Sequence, residues 1–358
     1  MKIKITFFLI FCLVLVVSGT AAYLFLNQEK EMTVAPVIEI PVVSGDESGV
    51  SSEVAPFFLT TMTHMESGFT DDKLEDVFLR HVEEVRYAMD LADLYDAKLT
   101  IESEEPFARA SEIWGVNILA EVLARGHGVG THCDVPPTPE KHGPKNTQEL
   151  ILEMRERKEL VDALVGAENN YGCSGAGGMQ DWVQGAAGAG FHYIDGIVGF
   201  HYLAMPLSAR PDGWTDDYIL ETAFHYNAPY DLEDRIYPRL LVNALDFEED
   251  QNGTVLASAG DLGKLSWIKE GDEYCRDGGE CVLDKQDVDA LVELLEDIDS
   301  SRDTSRIAKV SIYFAAVDFM EENGEVFEYF FAKMQDLQEG GIITWATQKE
   351  VYDAFMNQ

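Results

Sequence analysis

The stretch GHGVGTHCDVP, residues 126–136, decides the fold. A glycine opens it, a short run of small and β-branched residues follows, and His132, Cys133 and Asp134 close it before two prolines. Side chains at i and i+2 of a strand share a face. His132 and Asp134 therefore project together, and Cys133 points the other way. A strand tip with an imidazole and a carboxylate on one face is either a metal-ligand pair or an ion pair. What flanks the strand narrows the choice.

Upstream, APFFLTTMTH (55–64) reads as a strand, and Leu74, Val77, Phe78, Val82, Val85, Met89 and Leu91 then recur at helical spacing. AKLTIES (97–103) is a second strand, followed by one helix around SEIWGVNILAEVLARG (111–126). Downstream, NTQELILEMRERKELVDALVG (146–166) is a helix, NNYGCSG (169–175) a short strand or turn, GMQDWVQGAAGAG (178–190) a helix rich in small residues, and FHYIDGIVGF (191–200) a strand. Residues 201–284 lose the rhythm and read as an irregular insertion of long loops with a few short strands. The alternation returns with the helix DKQDVDALVELLEDID, the strand AKVSIYFAAVD, the helix GEVFEYFFAKMQDLQEG, the strand GIITWAT and the helix KEVYDAFM. Alternation at this density predicts a parallel sheet of about six to eight β/α units. No phosphate-binding glycine fingerprint follows the first strand, which favours a closed barrel over an open nucleotide-binding sheet.

The chain has 358 residues, 65 acidic against 26 basic, for a formal net charge of −39. Such a surface repels phosphate backbones, so nucleic acid and anionic lipid faces are excluded as partners. At the N-terminus Lys2 and Lys4 precede an uncharged apolar run over residues 5–26, long enough to span a hydrocarbon core of ~30 Å. Residues 1–26 are expected to be a transmembrane anchor, or alternatively a cleaved signal peptide. Residues 27–55 read as a flexible linker and 56–358 as the barrel domain. The expected location is the cell membrane, single-pass with the domain outside; the alternative is secretion.

Chemistry in such folds gathers at the carboxyl ends of strands. Those ends carry His64 and Glu66, Glu102, His132 and Asp134, Cys173, and Asp318. Histidine followed by an acid two residues on occurs twice. If both pairs face one barrel mouth, His64, Glu66, His132 and Asp134 supply nitrogen and oxygen donors for a divalent ion, zinc by donor type. The bland alternative is a pair of hydrogen-bonded strand ends. His127 opens its strand and belongs at the opposite end, whereas His201 and His225 can reach the mouth from loops. Trp182, Trp214 and Trp345 are candidate sugar-stacking faces, with a core role the alternative for Trp182.

LTTMTHMES, GHGVGTHCD, CSGAGGMQDWVQGAAGAGF and the closing SIYFAAVDFMEENGEVFEYFFAKMQDLQEGGIITWATQKEVYDAF resemble a divergent NodB-like polysaccharide deacetylase (carbohydrate esterase family 4). The resemblance covers most of residues 56–356, apart from about 201–305. It implies a distorted (β/α) barrel of the polysaccharide deacetylase type, a divalent metal, and hydrolysis of N- or O-acetyl groups on a cell-surface or extracellular polysaccharide. In that family a Thr-Phe-Asp-Asp motif supplies a base and a metal aspartate, and a His-Ser/Thr-x-x-His motif completes the metal site. Here Glu66 takes the place of the metal aspartate and Met65 that of the base; His132 matches the first motif histidine and Pro136 replaces the second. The family's arginine is replaced in the CSG region, and Asp318 lies near the place of its acid histidine. His64 and Asp134 would then replace the missing donors, leaving Asp134 or Glu66 as base and Asp318 or Glu102 as acid. Two other functions compete: a catalytically impaired glycan-binding or structural member of the fold, and a glycosidase using Glu66 and Glu102.

Four cysteines lie outside the N-terminal run. Adjacent parallel strands are ~4.8 Å apart, within the ~4.4–6.8 Å Cα separation that a disulfide tolerates, so Cys133–Cys173 is expected. Cys275–Cys281, around a glycine turn, is the second expected bridge. The alternative leaves Cys173 as a buried thiol or a metal ligand.

Overall fold

The computed structural model describes residues 54–65, 70–133, 146–227, 235–276 and 278–358. Ten strands form one sheet. In chain order the main elements are β1 (Phe57–His64), α1 (Glu75–Leu94), β2 (Thr100–Ser103), α2 (Glu105–Trp114), α3 (Ile118–Ala124), β3 (Gly128–His132), α4 (Thr147–Val165), β4 (Gly172–Ser174), α5 (Trp182–Ala189), β5 (Tyr193–Asp195), β6 (Arg239–Leu241), β7 (Val255–Ser258), β8 (Asp261–Lys264), α6 (Lys285–Ser301), β9 (Ala308–Ala315), α7 (Gly324–Glu339), β10 (Thr344–Trp345) and α8 (Gln348–Met356).

Strand composition explains the layering. In β2, β3, β4 and β5 the residues Ile101, Val129, Cys173 and Ile194 face outward into the helix-packed core. Their neighbours Glu102, His132, Ser174 and Asp195 share the other face, as the period of two requires. The parallel register pairs His64 with Glu102, His132 with Ser174, and Ser174 with Asp195. Polar residues from consecutive strands therefore meet inside the ring. Outside it, Phe78, Val82, Val85 and Met89 of α1 share one core with Phe327, Phe330 and Phe331 of α7 and with Leu291 and Leu295 of α6, α7 packing between α1 and α6. Caps fix the helix starts: Asn146 accepts from the Glu149 N–H, Thr347 and Glu350 cap α8 reciprocally, and Asp284 does the same with Asp287 for α6.

The ring closes through a segment that the sequence does not advertise. β7 pairs in parallel with β5, and two residues later the same chain pairs as β8 with β9, which in turn pairs along the whole of β1. At the switch of partner, Gly260 has φ +95°, and a Cβ there would lie 2.2 Å from the Lys309 carbonyl oxygen. The Ser311 N–H donates to the Gly260 carbonyl. The fully buried Lys309 ammonium donates to the carbonyls of Ser258 (2.9 Å) and Ala259 (3.1 Å), with Asp261 Oδ1 3.8 Å away. These carbonyls would otherwise lack partners where the ladder breaks. Within 201–284, where long loops with a few short strands are expected, short helical turns lie between residues 199 and 223, and the short strands β7 and β8 belong to the barrel.

Two smaller expectations also change. The single helix over 111–126 is two, because Gly115 ends α2 in the left-handed conformation (φ +73°) and Asn117 caps α3. The last strand shortens to Thr344–Trp345, added beside the start of β1. Both disulfides are present, Cys133–Cys173 and Cys275–Cys281, each with Cα atoms 5.8 Å apart. No helix among the described residues is long and apolar enough to cross a membrane; the apolar run at residues 5–26 lies outside them.

Candidate functional site

At the carboxyl ends of the ring strands a cavity of ≈ 240 Å³ is lined by His64, His132, His201, Asp261, Trp267 and Tyr313 among others. His64 ends β1 and His132 ends β3, and their rings stack with centroids 3.9 Å apart. The edge of Tyr313 meets His64 at 5.0 Å. Each imidazole is backed by carboxylate. His64 Nε2 lies 2.9 Å from Glu102 Oε2, and His132 Nε2 lies 3.4 Å from Glu104 Oε1, while His132 Nδ1 bonds to Ser174 Oγ at 2.9 Å. The two histidines singled out by spacing are therefore brought together. Their sequence partners Glu66 and Asp134 lie outside the described residues.

Glu102 is fully buried. Burial pushes its pKa up to about 7, against the opposing pull of neighbouring groups and the His132 charge. Asp195, equally buried beside it, is raised well above the ordinary carboxylate range by burial and then by the Glu102 charge. Neither carboxyl oxygen of Asp195 meets a donor group among the described residues, so burial and the neighbouring Glu102 charge both favour its protonated form. Asp261 is also raised by burial, with Lys309 and Arg235 pulling the other way. The ring thus holds a protonatable acid cluster directly behind the stacked imidazoles.

Asp318 sits just past β9, and its carboxylate accepts the Ala315 N–H at 2.8 Å. Burial raises its pKa; its side chain is outside the cavity lining. His201 and His225 do reach the cavity, and His201 Nε2 is 2.7 Å from the Gly175 carbonyl oxygen. His127 is at the far end, where its Nδ1 accepts the Leu99 N–H and its Nε2 lies 3.1 Å from Asp93. Trp182 is fully buried, Trp345 nearly so, and Trp214 packs on Tyr202 and Tyr218, so the tryptophan that lines the cavity is Trp267. Sequence reading also passed over Asp195, Asp261 and Lys309. A lysine inside the apolar AKVSIYF run was the available signal, because a strand buried on both faces carries a charge only beside a partner.

Among the described residues no group of three or more His, Cys, Asp or Glu side chains is arranged to hold a metal ion. His64 and His132 are two nitrogen donors in the same place. A carboxylate behind an imidazole, as Glu102 stands behind His64, is also how metal-binding rings are oriented. The described residues alone do not complete such a site.

Solved structures share this architecture. The Puue allantoinase superposes with a TM-score of 0.52 at 11% identity, over 87% of this chain and 93% of that one. A protein of Pseudomonas aeruginosa PAO1 described as a polysaccharide deacetylase gives 0.53 at 12% identity, over 85% and 92%. A Mycobacterium smegmatis protein so described gives 0.50 at 11%, over 92% and 96%. No protein-family model matches the sequence, and no curated protein matches it. The chain has the NodB-like polysaccharide deacetylase fold.

Proposed function

We propose that the barrel is a deacetylase-type hydrolase that removes acetyl groups from an extracellular or cell-surface polysaccharide. The observation that carries this reading is the pair of strand-tip imidazoles, stacked at 3.9 Å in the mouth of a cavity and each backed by a carboxylate. The names of its structural neighbours, polysaccharide deacetylase and allantoinase, are those of hydrolases acting on carbon–nitrogen bonds. Two disulfides accord with export to an oxidising compartment, and we place the domain outside the membrane.

The proposed cofactor is a divalent ion, zinc by donor chemistry, held by His64 and His132 with Glu66 and Asp134. Bound there, it would supply Lewis acidity and a more acidic water. The chain's own residues do the remaining work. Glu102 fixes the His64 ring and, holding its proton to about neutral pH, is a reserve of acid behind it; it is a positioning residue because His64 lines the cavity and Glu102 does not. Ser174 fixes His132 through Nδ1, and Nε2, on the Glu104 side, is the nitrogen that would meet the ion. Asp134 or Glu66, whichever is not engaged with the ion, is the general base. A role as acid suits Asp318 less well, since its carboxylate is committed to its own turn.

Acetate release from N-acetylated oligosaccharides, measured with the full chain alongside its metal content, tests this. We expect about one ion per chain, loss of that ion in His132→Ala, and acetate release that stops with it. Equal metal content in the wild type, His64→Ala and His132→Ala refutes the metal site. A metal-loaded protein that binds oligosaccharide without releasing acetate is a binding member of the fold.

A further inference from the structure

Of the ten asparagines in the chain, Asn252 alone is followed two residues on by a serine or threonine, in Asn252-Gly253-Thr254. That pattern is the acceptor for N-linked glycans, and it is used where it is exposed on an exported chain. Asn252 lies in the connection between β6 and β7, and both Asn252 and Thr254 are exposed.

The backbone of this connection is held fast while its acceptor side chains face water. The Asp250 N–H donates to the Leu240 carbonyl (2.9 Å) and the Thr254 N–H to the Leu241 carbonyl (3.0 Å), so both ends are tied to β6. Between them the Gly253 N–H donates to the Asp250 carbonyl at 2.8 Å. Asp250 Oδ1 accepts from the Asn252 N–H (2.8 Å) and from Asn252 Nδ2 (2.9 Å). A primary amide carries two N–H groups, so this bond leaves the second one on Nδ2 for chemistry. The central residue has its own reason to be glycine. A Cβ at Gly253 would stand 2.6 Å from the Leu241 nitrogen and 2.7 Å from the Leu240 carbonyl carbon. Packing on β6 thus accounts for Gly253, and the turn accounts for Asp250. The Thr254 hydroxyl serves neither: among the described residues it makes no hydrogen bond.

Position in the fold also suits a bulky group. β7 starts at Val255 and runs parallel to β5, with Leu256 across from Tyr193, so residues 252–254 stand at the amino end of the ring. The cavity with His64 and His132 opens at the carboxyl end. A glycan on Asn252 leaves that mouth clear.

We propose that Asn252 carries an N-linked glycan. Its amide nitrogen bonds to C1 of the first sugar of a polyprenyl-phosphate-linked oligosaccharide. The C1–O bond to phosphate breaks, the lipid phosphate leaves with that electron pair, and the nitrogen loses one proton. The donor and its membrane transferase belong to the export route, so the inference rests on the domain lying outside the membrane and is independent of what the cavity hydrolyses.

The test uses the full chain from intact source cells that have first been treated with a membrane-impermeant amine reagent. Trypsin releases the peptide 240–264, which holds Asn252 and, as an internal control, Asn243 outside the pattern. Mass spectrometry with fragmentation should place an oligosaccharide on Asn252 in most copies. It should vanish in Asn252→Gln and in Thr254→Ala, which leaves the Asp250 turn intact, and persist in Thr254→Ser, which keeps the hydroxyl. An unmodified peptide from externally labelled protein, the mass change of deamidation alone, or a glycan that survives in Thr254→Ala overturns the proposal while leaving the outside location standing. An unmodified peptide from protein that the reagent fails to label overturns both.

Discussion

Replacing Glu102 by glutamine should stabilise the protein at alkaline pH and leave it nearly unchanged in acid. Glu102 is fully buried and its pKa is pushed up to about 7 from an ordinary 4.5, chiefly by burial. A carboxyl whose pKa rises on folding binds more protons folded than unfolded between those two values, so stability falls as pH rises through that window. Below pH 4.5 both states hold the proton and nothing is lost; above pH 7 both are ionised and the full cost applies. The pKa difference corresponds to about 3 kcal/mol. Glutamine keeps the shape and escapes the cost, but it contacts His64 less strongly, which returns about 1 kcal/mol. The net gain expected at pH 8 is therefore about 2 kcal/mol. Urea unfolding of metal-stripped wild type and variant at pH 4.5, 6 and 8 measures it, and taking the difference at each pH removes the repulsion common to both highly acidic chains. A variant no more stable than the wild type at pH 8, or one whose advantage is the same at pH 4.5, would show that Glu102 is ionised in the fold at little cost.

Three further outcomes follow from the closure of the ring. Lys309→Met leaves the Ser258 and Ala259 carbonyls without their donor and Asp261 without its cation; unfolding should show a loss of about 3–5 kcal/mol, and a loss below 1 kcal/mol would mean that the seam does not depend on this side chain. Gly260→Ala puts a Cβ against the Lys309 carbonyl at a positive φ, for an expected loss of about 2–4 kcal/mol; thermal melting checks it, with Gly213→Ala, where a Cβ meets nothing within 4 Å although φ is also positive, as the control for backbone strain alone. Cys133–Cys173 closes a 40-residue separation, for which chain entropy gives ~4 kcal/mol; thiol titration under denaturing, non-reducing conditions should find neither cysteine free, and Cys133→Ala/Cys173→Ala should unfold at correspondingly lower urea.

How much of this was legible in the sequence depends on how far each partner lies along the chain. Strand tips such as THM and THC announce themselves because a histidine closes an apolar run, and adjacent strands of a β/α ring are consecutive in sequence. Reading along the chain therefore recovers a neighbour such as Cys173 for Cys133, whereas the Glu102 carboxylate beside His64 comes from the strand register. Asp195 ends a strand of only three residues and looks like any loop acid until the register sets it across from Ser174. The closing strand was hidden for a different reason. Gly260 and Gly263 break its pattern, as the change of partner from β5 to β9 demands, so the feature that closes the ring is the one that erases the strand signal. Lys309 belongs to the same junction, and its partners at 258–261 are about fifty residues away. No local pattern encodes that contact, although a lysine in an apolar strand does require some buried acceptor. The same reasoning bears on the acid cluster. Glu102, Asp195 and Asp261 come from strands on different sides of the ring, so their mutual repulsion exists only once the ring has closed. Burial inside the closed ring is what raises all three carboxyls above their ordinary values, and the Lys309 clamp at the seam, 3.8 Å from Asp261, offsets part of the cost where the last of the three acids joins the interior.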